Sequence, residues 1–464
     1  MSPEYQSWTK EQLIARLNEL ESYPQASAST KKTTSSTKIT TVTSPQKKTF
    51  DFTSHPRRKI AVKFCYSGWE YNGLAFQNGP TPLPTVEEVL FNAFAKTRLV
   101  DPDKGLDGCG WERCGRTDRG VSAAGQVVSL WPSMRQPSRE ETRSELRYVS
   151  ILNRVLPPTI RVLAWSPISS TFSARFNCQS RHYKYFFSPQ ELDLGLMQQA
   201  ADRLVGEHDF RNLCKLDPAK QITNFNRRVL LAKISPISDH LCVFDLRGTA
   251  FLYHQVRHIM AILFLVGTGL EHPSIVSTLL NVGKETNSPS ELDNSPLEIV
   301  DRKPEYQMAD GLPLMLWDCA YSDSDVQWQT DIDTGESGTG SELYHQLHSI
   351  YARSSIHTAL DAHFLSAAAQ LHSHPPQRFP FSHTGLALST IPVLLKSKER
   401  PVLSVPLGGG TFKRTAKYIP VLLRKRLDHV EVANERWRVG KGERREERKN
   451  VADGIPQTEY DGDE

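Results

Sequence analysis

A glycine-bounded turn that runs straight into an apolar segment constrains this chain more than any other stretch. Gly115-Arg116-Thr117-Asp118-Arg119-Gly120-Val121-Ser122-Ala123 leads into Gln126-Val127-Val128-Ser129-Leu130. The apolar segment reads as a buried strand, and the turn sets one carboxylate between two arginines at its mouth. Glycines there allow a tight turn and close approach of a ligand to the backbone. Opposite charge nearby favours the ionised form of Asp118. An anionic Asp on a rigid turn suits attack at a sugar or a base. The plain alternative is an Asx-turn in which Asp118 only caps its own backbone.

Strand and helix patterns alternate around this junction. Residues 60–66 and 161–165 read as strands, and residues 86–97 and 145–156 as helices, the latter stopped by Pro157-Pro158. The pattern then returns, with strands at 182–187, 240–246 and 313–319 and helices at 192–205 and 253–266. This likeness is one of element order, without an internal sequence repeat. It predicts an α+β architecture with two similar mixed halves, residues 57–165 and 166–321.

Flanking segments look different. A short amphipathic helix with Leu13, Leu17 and Leu20 on one face is expected within residues 1–26. Residues 27–56 form a Ser/Thr/Lys-rich linker with little to bury, and 322–341 an acidic one. Residues 342–464 read as a C-terminal extension, partly helical and partly basic.

Composition narrows the function classes. A 38% hydrophobic content is low for a wholly globular chain of 464 residues. The net charge of +4 is too small to imply nucleic-acid binding by itself, so a phosphate-binding surface needs clustering. Seven cysteines, an odd number, point to reduced thiols in an intracellular protein. Cys109 and Cys114 lack a second pair at ligand spacing, so no metal site is expected. No apolar run reaches spanning length, and no membrane association is expected. Glu4, Glu11 and the absence of an apolar run at the start argue against a targeting peptide.

Four blocks in order resemble the TruA-type tRNA pseudouridine synthases. Residues 115–121 match G-R-T-D-x-G-V; Thr171-Phe172-Ser173-Ala174-Arg175-Phe176 with Arg181-His182-Tyr183-Lys184-Tyr185 match F-x-A-R and R-x-Y-x-Y. Gly206-Glu207-His208-Asp209-Phe210 matches G-x-x-D-F, and Phe251-Leu252-Tyr253-His254-Gln255-Val256-Arg257 matches F-x-x-x-x-V-R. The resemblance covers residues 57–321 and implies two halves sharing a central, mostly antiparallel sheet with the active cleft between them. It also implies conversion of uridine to pseudouridine in tRNA, without cofactor or metal. The absence of G-x-x-x-x-G-K-[ST], G-x-G-x-x-G and H-E-x-x-H agrees.

Roles follow from the resemblance. Asp118 is the catalytic carboxylate, attacking the ribose or abstracting a ribose proton. Tyr183 stacks on the target base, although Tyr185 shares its strand face. Arg257 is expected to pair with Asp118, and Arg116 and Arg175 to bind phosphate or fill the space of the flipped nucleotide. Arg119 and Ser122 stand where bacterial members carry Ala and His, as in eukaryotic branches. Gly68-Trp69-x-Tyr71-x-Gly73 and Arg211-Asn212-x-Cys214-Lys215 resemble members that modify positions 38 and 39 of the anticodon arm. The branch acting on positions 27 and 28, and an idle RNA-binding protein, are the alternatives. A homodimer acting on the tRNA anticodon stem-loop in cytoplasm and nucleus is the expected form.

Overall fold

The computed structural model describes residues 50–133, 146–283, 297–331, 340–372, 403–415, 417–442 and 444. The chain divides into two units, Met1–Phe50 and Asp51–Glu464, and the second contains the sheet and its helices. The N-terminal helix and most of the Ser/Thr/Lys linker expected from sequence lie outside the described residues.

Nine strands form one sheet: β1 (Ile60–Tyr66), β2 (Glu112–Arg113), β3 (Ser122–Leu130), β4 (Ile160–Pro167), β5 (Ser180–Phe187), β6 (Gly206–Asp209), β7 (Asn226–Ser238), β8 (Leu241–Gly248) and β9 (Leu314–Ala320). Their order is β4-β1-β3-β9-β5-β8-β7-β6, with β2 added alongside β3. The first half therefore supplies one end of the sheet and the second half the other. Pairing is antiparallel except at β3–β9, where Ser122 meets Met315 and Ala123 meets Leu316 in parallel register. This seam joins the halves. The α+β class and the mostly antiparallel shared sheet are both present.

Among the described residues, besides a single turn at Gly105–Gly108, the helices are α1 (Val86–Lys96), α2 (Tyr148–Asn153), α3 (Leu194–Asp202), α4 (Gln255–Gly267), α5 (Ile275–Leu280), α6 (Gly340–Ala369) and α7 (Val430–Trp437). Local chemistry sets several starts. Thr85 and Glu88 close a capping box at α1, and the Asp193 carboxylate accepts from Leu196 N at α3. Helix α4 is buried on nearly all sides, as an all-round apolar helix must be. Helix α2 is shorter than the expected 145–156. Strand β7 is absent from the sequence expectation because most of its side chains face solvent.

The C-terminal stretch returns to the second half. A hairpin, β10 (Leu403–Gly408) with β11 (Thr411–Thr415), brings the Leu407 carbonyl to Asp310 N at 2.7 Å. The buried Glu271 carboxylate accepts from Tyr418 Oη and Val421 N. Residues 403–415 and 417–427 thus help to build the wall behind α4.

In the first half, Glu87 on α1 is fully buried, and its carboxylate accepts from Arg113 Nε at 2.6 Å, Trp111 Nε1 at 2.9 Å and Phe76 N at 2.9 Å. This network ties α1 to β2, which leads into the Asp118 turn. Arg113→Ala leaves the buried carboxylate without its countercharge and should cost about 3 kcal/mol. Urea unfolding checks this, and an unchanged midpoint would show that the pair carries no net stability.

Candidate active site

The turn that carries Asp118 is pinned from several directions. The Thr117 carbonyl accepts from Leu74 N at 3.2 Å, and Asp118 O accepts from Val121 N at 3.1 Å. Thr117 Oγ1 lies 2.6 Å from Tyr66 Oη, and Gln126 Nε2 donates to Gly115 O. Gly68 and Gly73 let a second backbone segment press against the turn. A Cβ on Gly68 would sit 2.1 Å from Val121 O, and Gly73, at φ +88°, faces the Thr117 carbonyl. The Gly68-Trp69-x-Tyr71-x-Gly73 text is therefore packing against the turn.

Because β3 and β9 run parallel, the Asp118 turn and residues 309–313 lie at the same edge of the sheet. Helix α4 opens beside them. A cleft of about 1380 Å³ lies at this edge, lined by segments of both halves that include Asp118, Tyr183, His254 and Arg257. The Asp118 side chain is 30% exposed.

The partner of Asp118 is not the one expected from sequence. His254 Nε2 lies 3.1 Å from Asp118 Oδ2, and the His254 side chain is 6% exposed. Arg257 instead donates from Nε to the Ala309 carbonyl at 2.8 Å, and no described ion pair joins it to Asp118. It stays in the cleft beside Gly311, which in turn approaches the Arg119 carbonyl. Neither Arg116 nor Arg119 forms a described ion pair with Asp118, although both line the cleft. Neighbours in an extended or turning backbone point in different directions, so adjacency in sequence did not become contact.

His254 escaped the sequence reading, and its backbone explains why. It caps α4 in the left-handed region at φ +56°, which carries a cost for a non-glycine residue. That conformation turns the ring out of the helix and back over the turn. Tyr253 lies against it with ring centroids 3.9 Å apart. The His254 Nδ1 atom is buried with no hydrogen-bond partner among the described residues.

The two candidate tyrosines separate. Tyr185 is fully buried and donates to the carbonyls of Asp310 and Leu407, so it belongs to the core. Tyr183 lines the cleft, edge-on to Phe251 at 5.1 Å. Burial holds its phenol far above the usual range, so its neutral form persists at physiological pH. Arg175 is exposed in the cleft wall, with Phe176 beneath its guanidinium at 5.3 Å. Lys220, also missed from sequence, sits 3.2 Å above the Tyr253 ring, and burial lowers its pKa. Eight lysine and arginine residues line the cleft against three carboxylates, a positive surface that the overall +4 conceals.

Cys114 does not meet Cys109. Its sulfur lies instead with those of Cys178 and Cys319, all within 4.8 Å of one another. The neighbouring Cys178 and Cys319 thiols, helped by the Arg181 charge, hold the Cys114 thiol well below the ordinary range.

Comparison with known proteins accords with this geometry. A family model described as tRNA pseudouridine synthase matches residues 200–322. The tRNA pseudouridine(38/39) synthase of Saccharomyces cerevisiae is 43% identical over 344 residues, covering 70% of this chain and 74% of that protein. This chain belongs to the TruA-type tRNA pseudouridine synthase family. The human tRNA pseudouridine(38/39) synthase is 44% identical over 62% of this chain, and the match spans 60% of the human protein's length. The tRNA pseudouridine synthase A of Methanothrix thermoacetophila is 32% identical over 59% of this chain and 86% of that protein. The family model covers the half with His254 and Arg257, while Asp118 and Tyr183 lie before it.

Most of the Arg211-Asn212-x-Cys214-Lys215 text is structural in this family member. Arg211 pairs with Asp209, and the buried Asn212 amide donates to the carbonyls of Leu279 and Val300. Lys303 donates to the Cys214 carbonyl and lies 3.2 Å from His258 Nε2. Lys215 approaches a residue of the cleft lining, with its Nζ 5.3 Å from the Tyr253 ring centroid.

His258, one turn beyond His254, is pushed down to about 2, first by burial and then by the charges of Lys303, His254 and Arg257. Burial also lowers Lys303 to about 8. The folded chain keeps His258 neutral, whereas the unfolded chain protonates it below about pH 6.5. Its contribution is present above that pH and is lost on acidification, roughly 2 kcal/mol by pH 5. His258→Gln should remove this part of the pH dependence. Urea midpoints at pH 7 and pH 5 measure it; an equal acid loss in both proteins would contradict the assignment.

Proposed function

We propose that this protein is a tRNA pseudouridine synthase that isomerises uridine to pseudouridine at positions 38 and 39 of the anticodon stem-loop. One observation carries the reading: a partly open carboxylate, Asp118, faces a buried imidazole within a positively charged cleft between the two halves. The names of the yeast and human relatives and the resemblance of the Arg211 to Lys215 text support positions 38 and 39.

The reaction breaks the bond between ribose C1′ and uracil N1, turns the base and joins C1′ to C5; the C5 proton is then lost and N1 takes up a proton, so that the product is an isomer of the substrate. It is redox-neutral and needs no energy input. Asp118 attacks the ribose or abstracts a ribose proton as the base departs, and His254 orients the carboxylate for that step. The target nucleotide has to leave its stack to reach Asp118. Tyr183 then provides a flat wall for the base, contributing about 1–3 kcal/mol if it behaves like other stacking aromatics. Its raised phenol pKa favours a role as a neutral ring or donor over one as a phenolate base.

Arg257 spends one N–H on Ala309, and its other guanidinium nitrogens have no hydrogen-bond partner among the described residues. They are suited to phosphate or ribose oxygens, as are Arg116 and Arg175 at the cleft surface. Water has to be shut out around Asp118 once the nucleotide is bound, so that the detached base is not lost. A homodimer is the expected form on the family resemblance, and an enzyme of tRNA would work in cytoplasm and nucleus, where tRNA is made and used.

Base-resolution pseudouridine mapping of total RNA, with and without the protein, tests the substrate. Signal lost at positions 38 and 39 is expected, and loss at 27 and 28 would overturn the positions. His254→Ala should lower kcat roughly 10–100-fold with little change in KM, as expected for a misaligned carboxylate. Single-turnover kinetics on an anticodon stem-loop would reveal this, and wild-type turnover would remove His254 from the machinery.

A further inference from the structure

Cys114, Cys178 and Cys319 come from distant parts of the chain and meet behind the cleft. Cys114 precedes the Asp118 turn, Cys178 follows the Arg175-Phe176 wall, and Cys319 lies on β9. Cys114 and Cys319 are almost wholly buried, and Cys178 is half-buried at the cleft lining.

We propose that these three sulfurs form a binding site for one thiophilic metal ion, of which zinc(II) is the expected occupant, clamping the first half of the synthase to the second. Sulfurs bound to zinc at about 2.3 Å lie roughly 3.8 Å apart in a tetrahedron, compatible with a trio held within 4.8 Å. Thiolate sulfur selects zinc and other soft ions over magnesium or calcium. Binding releases the thiol protons to solvent, leaving three thiolates around a divalent ion with one net negative charge. Arg181 supplies the balancing positive charge. It interacts electrostatically with all three cysteines, while its guanidinium is fixed by the carbonyls of Cys114, Arg175 and Thr249.

The surroundings are rigid enough to hold such a site. Cys114 N donates to Val127 O within the sheet, and Cys319 stands opposite Arg181 in the β5–β9 ladder. Tyr321 covers the cluster and donates to the Ala174 carbonyl at 2.6 Å. A three-sulfur set leaves a further coordination position for water. Two cysteines come from the second half and one from the first, so the ion would brace the Asp118 turn across the seam. A disulfide would use two sulfurs, strand the third and require an oxidant.

The test uses the full-length chain, purified reduced, without a histidine tag or chelator. Elemental analysis should find about one zinc per chain, and replacement by cadmium should give the ultraviolet sulfur-to-cadmium charge-transfer band. Chelation should lower the Tm of the wild type. Cys178→Ser, at the least buried position, should lose the zinc, the band and the chelator-dependent shift, as should Cys319→Ser. Wild-type protein that neither carries zinc nor binds added zinc or cadmium would overturn the proposal. So would equal binding by Cys178→Ser and wild type, or a disulfide among the three cysteines in the purified protein.

Discussion

The cleft depends on the parallel pairing of β3 with β9, two residue pairs long, at the centre of an otherwise antiparallel sheet. Parallel strands start at the same edge. The loop before β3, carrying Asp118, therefore faces the loop before β9, whose Ala309 carbonyl holds Arg257. An antiparallel seam would send those loops to opposite edges and separate the carboxylate from α4. The glycines at 68 and 73 lock the turn by allowing backbone contact where a side chain would collide.

Around that seam, positive charge is concentrated without disturbing the overall balance. The cleft gathers cations from both halves, and the described carboxylate that faces His254 is Asp118. The arrangement separates tasks. Exposed Arg116 and Arg175 are open to solvent, whereas His254, held at an unfavourable φ and packed by Tyr253, is fixed facing Asp118. Strain retained at such a position is consistent with function, because an ordinary cap would satisfy α4 at lower cost.

Much of the framework was legible in the amino-acid order. The strands read at residues 60–66 and 182–187 and the largely apolar helix read at 253–266 match β1, β5 and α4, and ordered motifs pointed to the family and to Asp118. Contacts that depend on tertiary geometry were not legible. Sequence favoured Arg257 as the ion-pair partner, yet a single left-handed residue brings His254 there instead. Cys178 and Cys319 lie 64 and 205 residues beyond Cys114, so no local spacing could reveal their meeting. Strand β7 was hidden by its solvent-facing side chains, and the return of residues 403–415 and 417–427 depends on partners such as Tyr185 and Glu271 far upstream.

The most direct test of the central claim is single-turnover pseudouridine formation by Asp118→Asn on an anticodon stem-loop, measured beside its binding affinity. The substitution keeps the size of the side chain and removes the charge that faces His254. Product formation should be abolished while RNA affinity stays within about threefold of wild type, since the cationic cleft is untouched. Undiminished isomerisation by Asp118→Asn would contradict the role given to this carboxylate.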